Sequence, residues 1–155
     1  MPRRLRARAS QFVLLLTALV IAGSCARRTT EIQTSDLIQI DELSRSLADS
    51  TAPHPLLVHV GFAPLYRSGH IPGSIYAGPG SKPAGLAALE RALKDAPADR
   101  PIVLYCGCCP WTDCPNVRPA FRMAKPSHRN VRVLYVTHNF ERDWIAKGLP
   151  SATGE

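Results

Sequence analysis

The sequence has no apolar run long enough to cross a bilayer comfortably as a helix, which takes about 20 residues. Its longest uncharged apolar stretch, Phe12 to Ile21, is roughly half that length. Positive charge is scarcer in the body of the chain than the net +7 suggests. Of 19 Lys and Arg, the four at Arg3, Arg4, Arg6 and Arg8 all precede the apolar stretch. Beyond residue 24 the remaining 15 face 12 Asp and Glu, a balance of +3. No aromatic-interleaved basic patch remains, so a nucleic-acid partner is not expected. Internal repeats and low-complexity blocks are missing, which leaves one ordinary domain's worth of chain. A phosphate-loop glycine register is missing too: Gly78-Pro79-Gly80-Ser81 reads as a turn. Cysteine occurs only at Cys25 and in one cluster between Cys106 and Cys114.

The N-terminal arginines, the short apolar core and the small residues Ala22-Gly23-Ser24 have the parts of a secretory signal. Ile21-Ala22-Gly23-Ser24-Cys25 also resembles a bacterial lipoprotein box, in which the cysteine is lipidated and becomes the mature N-terminus. Simple cleavage after Ser24 and an uncleaved anchor are the alternatives. Lipidation of Cys25 would leave an even number of cysteines in an oxidising compartment, which favours it. The expectation is an exported protein of the bacterial cell envelope, membrane-anchored and facing the periplasm or exterior. Residues 1–24 are expected as signal peptide, 25–35 as a polar tether, 36–150 as the folded domain and 151–155 as a tail.

Within the domain, short β-rich runs alternate with helical patterns. Leu37–Ile40, Leu56–Val60, Ser74–Ala77, Ile102–Tyr105 and Val131–Val136 read as strands. Asp41 is expected to cap a helix through Leu43 and Leu47. Further helices are expected around Leu86, Leu89 and Leu93, over Asn116–Lys125, and over Asp143–Lys147 before Gly148 and Pro150. This alternation predicts an α/β domain with a central parallel sheet of about five strands and helices on both faces. Sites in such sheets lie beyond the carboxyl ends of strands. The segment Tyr105-Cys106-Gly107-Cys108-Cys109-Pro110-Trp111-Thr112-Asp113-Cys114-Pro115-Asn116 lies there, ahead of a helix. A helix N-terminus favours anions and lowers a thiol's pKa, so a nucleophilic thiolate is expected in this loop.

Three segments in order resemble the rhodanese-like family. Tyr66-Arg67-Ser68-Gly69-His70-Ile71-Pro72-Gly73-Ser74-Ile75 is similar to its Tyr-x-x-Gly-His-Ile-Pro-Gly-Ala-x segment. Ile102-Val103-Leu104-Tyr105-Cys106 resembles the strand that ends in its active-site cysteine, and Asp143-Trp144-Ile145-Ala146-Lys147-Gly148-Leu149-Pro150 its Trp-x-x-x-Gly-x-Pro ending. The resemblance implies a rhodanese-like domain with Cys106 as nucleophile. It implies a thiosulfate sulfurtransferase-like activity: a small anionic sulfur donor, a persulfide on Cys106, and a thiol or cyanide acceptor, with no cofactor. Two departures stand out. His59 and Gly61 occupy positions where the family commonly has Asp and Arg, and Trp111 stands where the catalytic loop often ends in Arg.

Gly107, Cys108, Cys109, Trp111 and Arg118 are the candidate substrate-binding residues, with Arg118 a possible replacement for the loop arginine. Cys108, Cys109 and Cys114 have three readings. They could form a loop disulfide or act as resolving thiols. They could join Cys106 in a thiolate metal site, although Cys-x-Cys-Cys-x4-Cys is not the paired spacing of zinc sites. They could also be spectators. A non-catalytic thiol- or metal-binding module, or a thiol–disulfide redox module, is therefore the competing class. His70 is expected to fix its loop by a hydrogen bond, and His59 to be a satisfied core residue. Phosphatase chemistry on this fold requires Cys-x5-Arg for bidentate phosphate binding. Six residues after Cys106, Cys108, Cys109 and Cys114 stand Thr112, Cys114, Pro115 and Ala120, which argues against it.

Overall fold

The structure, a computed structural model, describes residues 31–154. The expected signal peptide, Cys25 and the first part of the tether lie outside the described residues. Five strands form one wholly parallel sheet: β1 (Leu37–Ile38), β2 (Leu56–His59), β3 (Ile75–Tyr76), β4 (Ile102–Tyr105) and β5 (Val131–Leu134), in the order β1-β5-β4-β2-β3. β4 pairs with β2 from Leu56 beside Ile102 to His59 beside Tyr105, and with β5 on its other edge. With strands on both edges and helices on both faces, β4 is buried at every position. That is why it reads as an unbroken apolar run, with no alternation.

Five helices connect and cover the strands: α1 (Ile40–Ala48), α2 (Ala63–Ser68), α3 (Pro83–Leu93), α4 (Val117–Ala124) and α5 (Phe140–Asp143). On one face, Leu89 and Leu93 of α3 and Val117, Ala120, Phe121 and Ala124 of α4 pack on Val58, Leu104 and Val133. On the other, Leu43 of α1 packs with Phe140, Trp144, Leu57, Val103 and Tyr105. The result is the expected α/β architecture, a five-stranded parallel sheet with a core on each face. No helix among the described residues is long and apolar enough to cross a membrane.

Three local expectations change. α1 starts at Ile40 with Gln39 before it, so Asp41 lies inside the first turn, where its charge favours the helix dipole without capping it. α2 was not foreseen: its six residues, with a proline in the first turn, are too short to show a period. The closing helix lies earlier than Asp143–Lys147. α5 begins after Asn139, whose side chain accepts the Arg142 N–H at 2.8 Å, and a 3₁₀ turn over Ile145–Lys147 follows. Gly148 ends that turn with a φ of 72°, a left-handed conformation that glycine adopts freely.

Candidate active site

β4 delivers Cys106 to the carboxyl edge of the sheet, where it is buried. Its Sγ lies 3.4 Å from the Cys108 Sγ, and the Asn116 Nδ2 donates to it at 3.5 Å. The Cys108 backbone N–H favours its thiolate. The loop beyond is pinned from outside: the Trp111 N–H donates to the Val136 carbonyl at 2.9 Å, just past β5. Asn116 is fully buried directly before α4, and its Oδ1 accepts the Ser81 N–H at 3.2 Å. The turn between β3 and α3 sits against it so closely that a Cβ on Gly80 would lie 2.2 Å from the Asn116 carbonyl oxygen. Glycine is required here for backbone approach.

Cys108 is the hub of the sulfur cluster. Besides Cys106, its Sγ lies 2.8 Å from that of Cys109 and 3.8 Å from that of Cys114. All four loop cysteines are free thiols. The sulfurs of Cys106, Cys108 and Cys114 all lie within 4.8 Å of one another, a set that could hold a thiophilic cation. Cys106 and Cys114 are buried, whereas Cys108 and Cys109 are half-buried and form the outer side of the cluster.

The electrostatics overturn the expectation of a lowered thiol pKa. The Cys114 thiol beside it, and burial after that, push the Cys106 thiol well above the ordinary range. Burial likewise raises Cys108, and burial and then Cys108 push Cys109 up to about 12. Position ahead of α4 is outweighed because Cys106, Cys108 and Cys109 are desolvated, and at Cys106 the neighbouring Cys114 adds to the effect of burial.

His59, at the carboxyl end of the adjacent β2, is not a satisfied core residue. It is 1% exposed, and its Nδ1 accepts the Gly61 N–H at 3.3 Å. An accepting Nδ1 leaves the proton on Nε2, and that buried N–H has no partner. Burial, with His70 adding to it, holds the imidazole down to about 4, so the ring is neutral at physiological pH. Gly61 joins the ring to the thiol: a Cβ there would lie 2.7 Å from the Cys106 Sγ and 2.8 Å from the His59 Cε1. An orphaned buried donor beside a buried sulfur is an anion-binding feature.

The other candidates have different surroundings. Gly107 follows the thiol, and its carbonyl accepts the Phe140 N–H at 3.4 Å. Trp111 is half-buried 6.5 Å from the Tyr135 ring. The Arg118 guanidinium pairs with Glu31 at 3.1 Å, donates to the Thr112 carbonyl at 3.4 Å and lies 5.9 Å from the Trp111 ring centre. It thus has partners other than the thiols. His70 fixes its loop as expected, with Nδ1 2.8 Å from the Tyr66 carbonyl and its ring stacked on Tyr66 at 3.9 Å. Sequence reasoning missed Asn116 and the open valence of His59. An asparagine between a cysteine loop and a helix reads as a helix boundary, and nothing in sequence places residues 59, 61 and 116 together.

The family model of the Rhodanese-like domain matches residues 39–134. Among solved structures, the BH2092 protein from Bacillus halodurans is 22% identical, with a TM-score of 0.57 and coverage of 77% of each chain. The rhodanese-like domain of the Alr3790 protein from Anabaena sp. is 17% identical, with a TM-score of 0.54 and coverage of 77% of this chain and 80% of that one. EanB, solved in complex with hercynine, is 24% identical with a TM-score of 0.51; 75% of this chain matches 27% of EanB. No curated protein sequence matches the chain.

Proposed function

Because the chain belongs to the rhodanese-like family, we propose that it is a sulfurtransferase in which Cys106 carries a sulfane sulfur. The carrying observation is the Cys106 thiol at the carboxyl end of β4, with the Asn116 amide donating to its sulfur and the unpartnered His59 Nε2–H beside it. With thiosulfate as donor, the Cys106 thiolate attacks the outer sulfur, a sulfur–sulfur bond forms, and sulfite leaves with the electron pair of the broken bond. An acceptor such as cyanide or a thiol then attacks the outer sulfur of the persulfide, and Cys106 is regenerated. Asn116, the Cys108 N–H and the His59 N–H are neutral donors suited to stabilising the persulfide anion. The raised Cys106 pKa means that the reactive thiolate is scarce at neutral pH, so loading should accelerate as pH rises.

The test is intact-mass measurement of the reduced full chain after thiosulfate or polysulfide treatment, with peptide mapping on a Cys108→Ser background. One added sulfur on the Cys106 peptide, lost with Cys106→Ser, supports the reading. No adduct with either donor overturns it.

A second reading has its own observation, the three sulfurs of Cys106, Cys108 and Cys114 within 4.8 Å of one another. In it the loop holds a soft cation such as Cu(I), which thiolates favour. Stoichiometric Cu(I) retention against a chelator, together with failure to form a persulfide, would favour this reading. We also propose that the protein is exported and tethered to the envelope membrane through lipidated Cys25. A Cys25→Ser chain should then leave the membrane fraction.

A further inference from the structure

One thiol suffices for sulfur transfer, yet Cys106 has a second thiol in contact with its own sulfur. We propose that the Cys106 persulfide is resolved inside the loop by Cys108, which converts the sulfane sulfur to hydrosulfide and leaves a Cys106–Cys108 disulfide. This rests on the sulfurtransferase reading and gives that site a distinct product: sulfide, formed by reduction of the sulfur that a transferase would hand on.

The geometry selects both the attacking group and the atom attacked. At 3.4 Å the Cys108 Sγ is in contact with the Cys106 Sγ, the inner sulfur of the persulfide, and it is the half-buried member of the pair. Attack by Cys108 on the inner sulfur forms the Cys106–Cys108 bond and breaks the bond to the outer sulfur. The outer sulfur departs with the electron pair. The Cys108 proton passes to the persulfide anion, so the leaving group is HS⁻ and charge is conserved. The sulfane sulfur gains two electrons, one from each cysteine sulfur. Burial raises the Cys108 pKa, and the outer sulfur, which becomes strongly basic as its bond breaks, takes the proton in the same step. Repeated turnover needs an external dithiol, or two equivalents of a small thiol, to reduce the disulfide. Cys108 is half-buried, so it is the member of the pair open to that reductant.

The loop neighbours supply the contrast. Cys114 is buried, and Cys109 touches Cys108 at 2.8 Å but has no hydrogen bond to Cys106.

The experiment is a single turnover of the reduced full chain with thiosulfate whose outer sulfur carries a heavy isotope, with no added thiol. Trapped labelled sulfide and intact protein mass are followed together. The wild-type chain should release about one labelled sulfide per chain, lose two hydrogens and give a cross-linked Cys106–Cys108 peptide. Cys108→Ser should release none and hold labelled sulfur on Cys106, with a persulfide lifetime extended about tenfold or more. Cys25→Ser, outside the loop, should behave as wild type. A wild-type persulfide as long-lived as that of Cys108→Ser, or sulfide release unchanged by that substitution, overturns resolution while leaving sulfur transfer standing. Absence of labelled sulfur from Cys106 in every variant removes the transferase reading, and resolution falls with it.

Discussion

At the scale of single residues, the donors around Cys106 are neutral. Its sulfur takes a hydrogen bond from the Asn116 amide, lies near the neutral, unpartnered imidazole N–H of His59, and touches the Cys108 thiol. Arg118, the first cation after the cysteine loop in sequence, is paired with Glu31. A pocket of uncharged donors stabilises one negative charge better than two, so donors with one charge or none should load Cys106 faster than dianionic thiosulfate. A steady-state comparison of alkyl hydropersulfide with thiosulfate should show a kcat/KM ratio above about ten, one charge-assisted hydrogen bond's worth of discrimination. Asn116→Ala removes a donor to the sulfur and should slow persulfide formation about tenfold by stopped-flow mass analysis. Asn116→Asp should be slower still, because a carboxylate beside the thiol raises its pKa further. Equal rates in all three chains would remove Asn116 from the site.

At the scale of elements, the site is a meeting of three loops: those after β2, β3 and β4, converging on the start of α4. Gly80, in the second, touches the Asn116 backbone. A methyl group at that position would lie 2.2 Å from a carbonyl oxygen and 3.2 Å from the Ala120 Cβ, and neither atom is at the end of a flexible side chain. Gly80→Ala should therefore push α4 outward and cost about 1–3 kcal/mol in chemical denaturation. It should also slow Cys106 loading, because Asn116 moves with α4. The strands were the most legible elements, since buried parallel strands are written as apolar runs: β4 falls on the expected bounds, and β2, β3 and β5 end one or two residues short of theirs. α2 and the displaced α5 were illegible for the same reason, being shorter than two helical turns.

At the scale of the whole molecule, acid should act in two stages. His59 titrates at about 4 when folded and near 6.5 when unfolded. Between these values the unfolded chain binds the extra proton, so stability falls as pH drops from about 6.5 to 4, by about 3 kcal/mol at the limit. Asp143 follows at lower pH. Burial pushes its carboxyl up, but the N–H groups of His138 and Thr137 outweigh this and hold it down to about 2. Its contribution is present above the unfolded value of 3.8 and is lost as pH falls towards 2. Urea denaturation across this range should show the first decline abolished by His59→Gln and the second by Asp143→Asn. A flat profile between pH 6.5 and 4 would show that His59 is not buried neutral.

The order of residues alone specifies the class of fold and the place of the chemistry. Apolar runs of strand length separated by helical periods admit a parallel α/β sheet, and the loop after its fourth strand holds every cysteine among residues 31–154. Those are local properties of the chain, readable from neighbours within a few residues. Folding settles which thiol touches which, raises the Cys106 pKa against the pull of a helix N-terminus, and gathers His59, Gly61 and Asn116 around Cys106. The sheet order sets β4 beside β2 and brings Gly80 onto α4, so side chains far apart in sequence share one desolvated space. Burial and distance within that space, on which the charge state and reactivity of a sulfur depend, are written in no single segment of the chain.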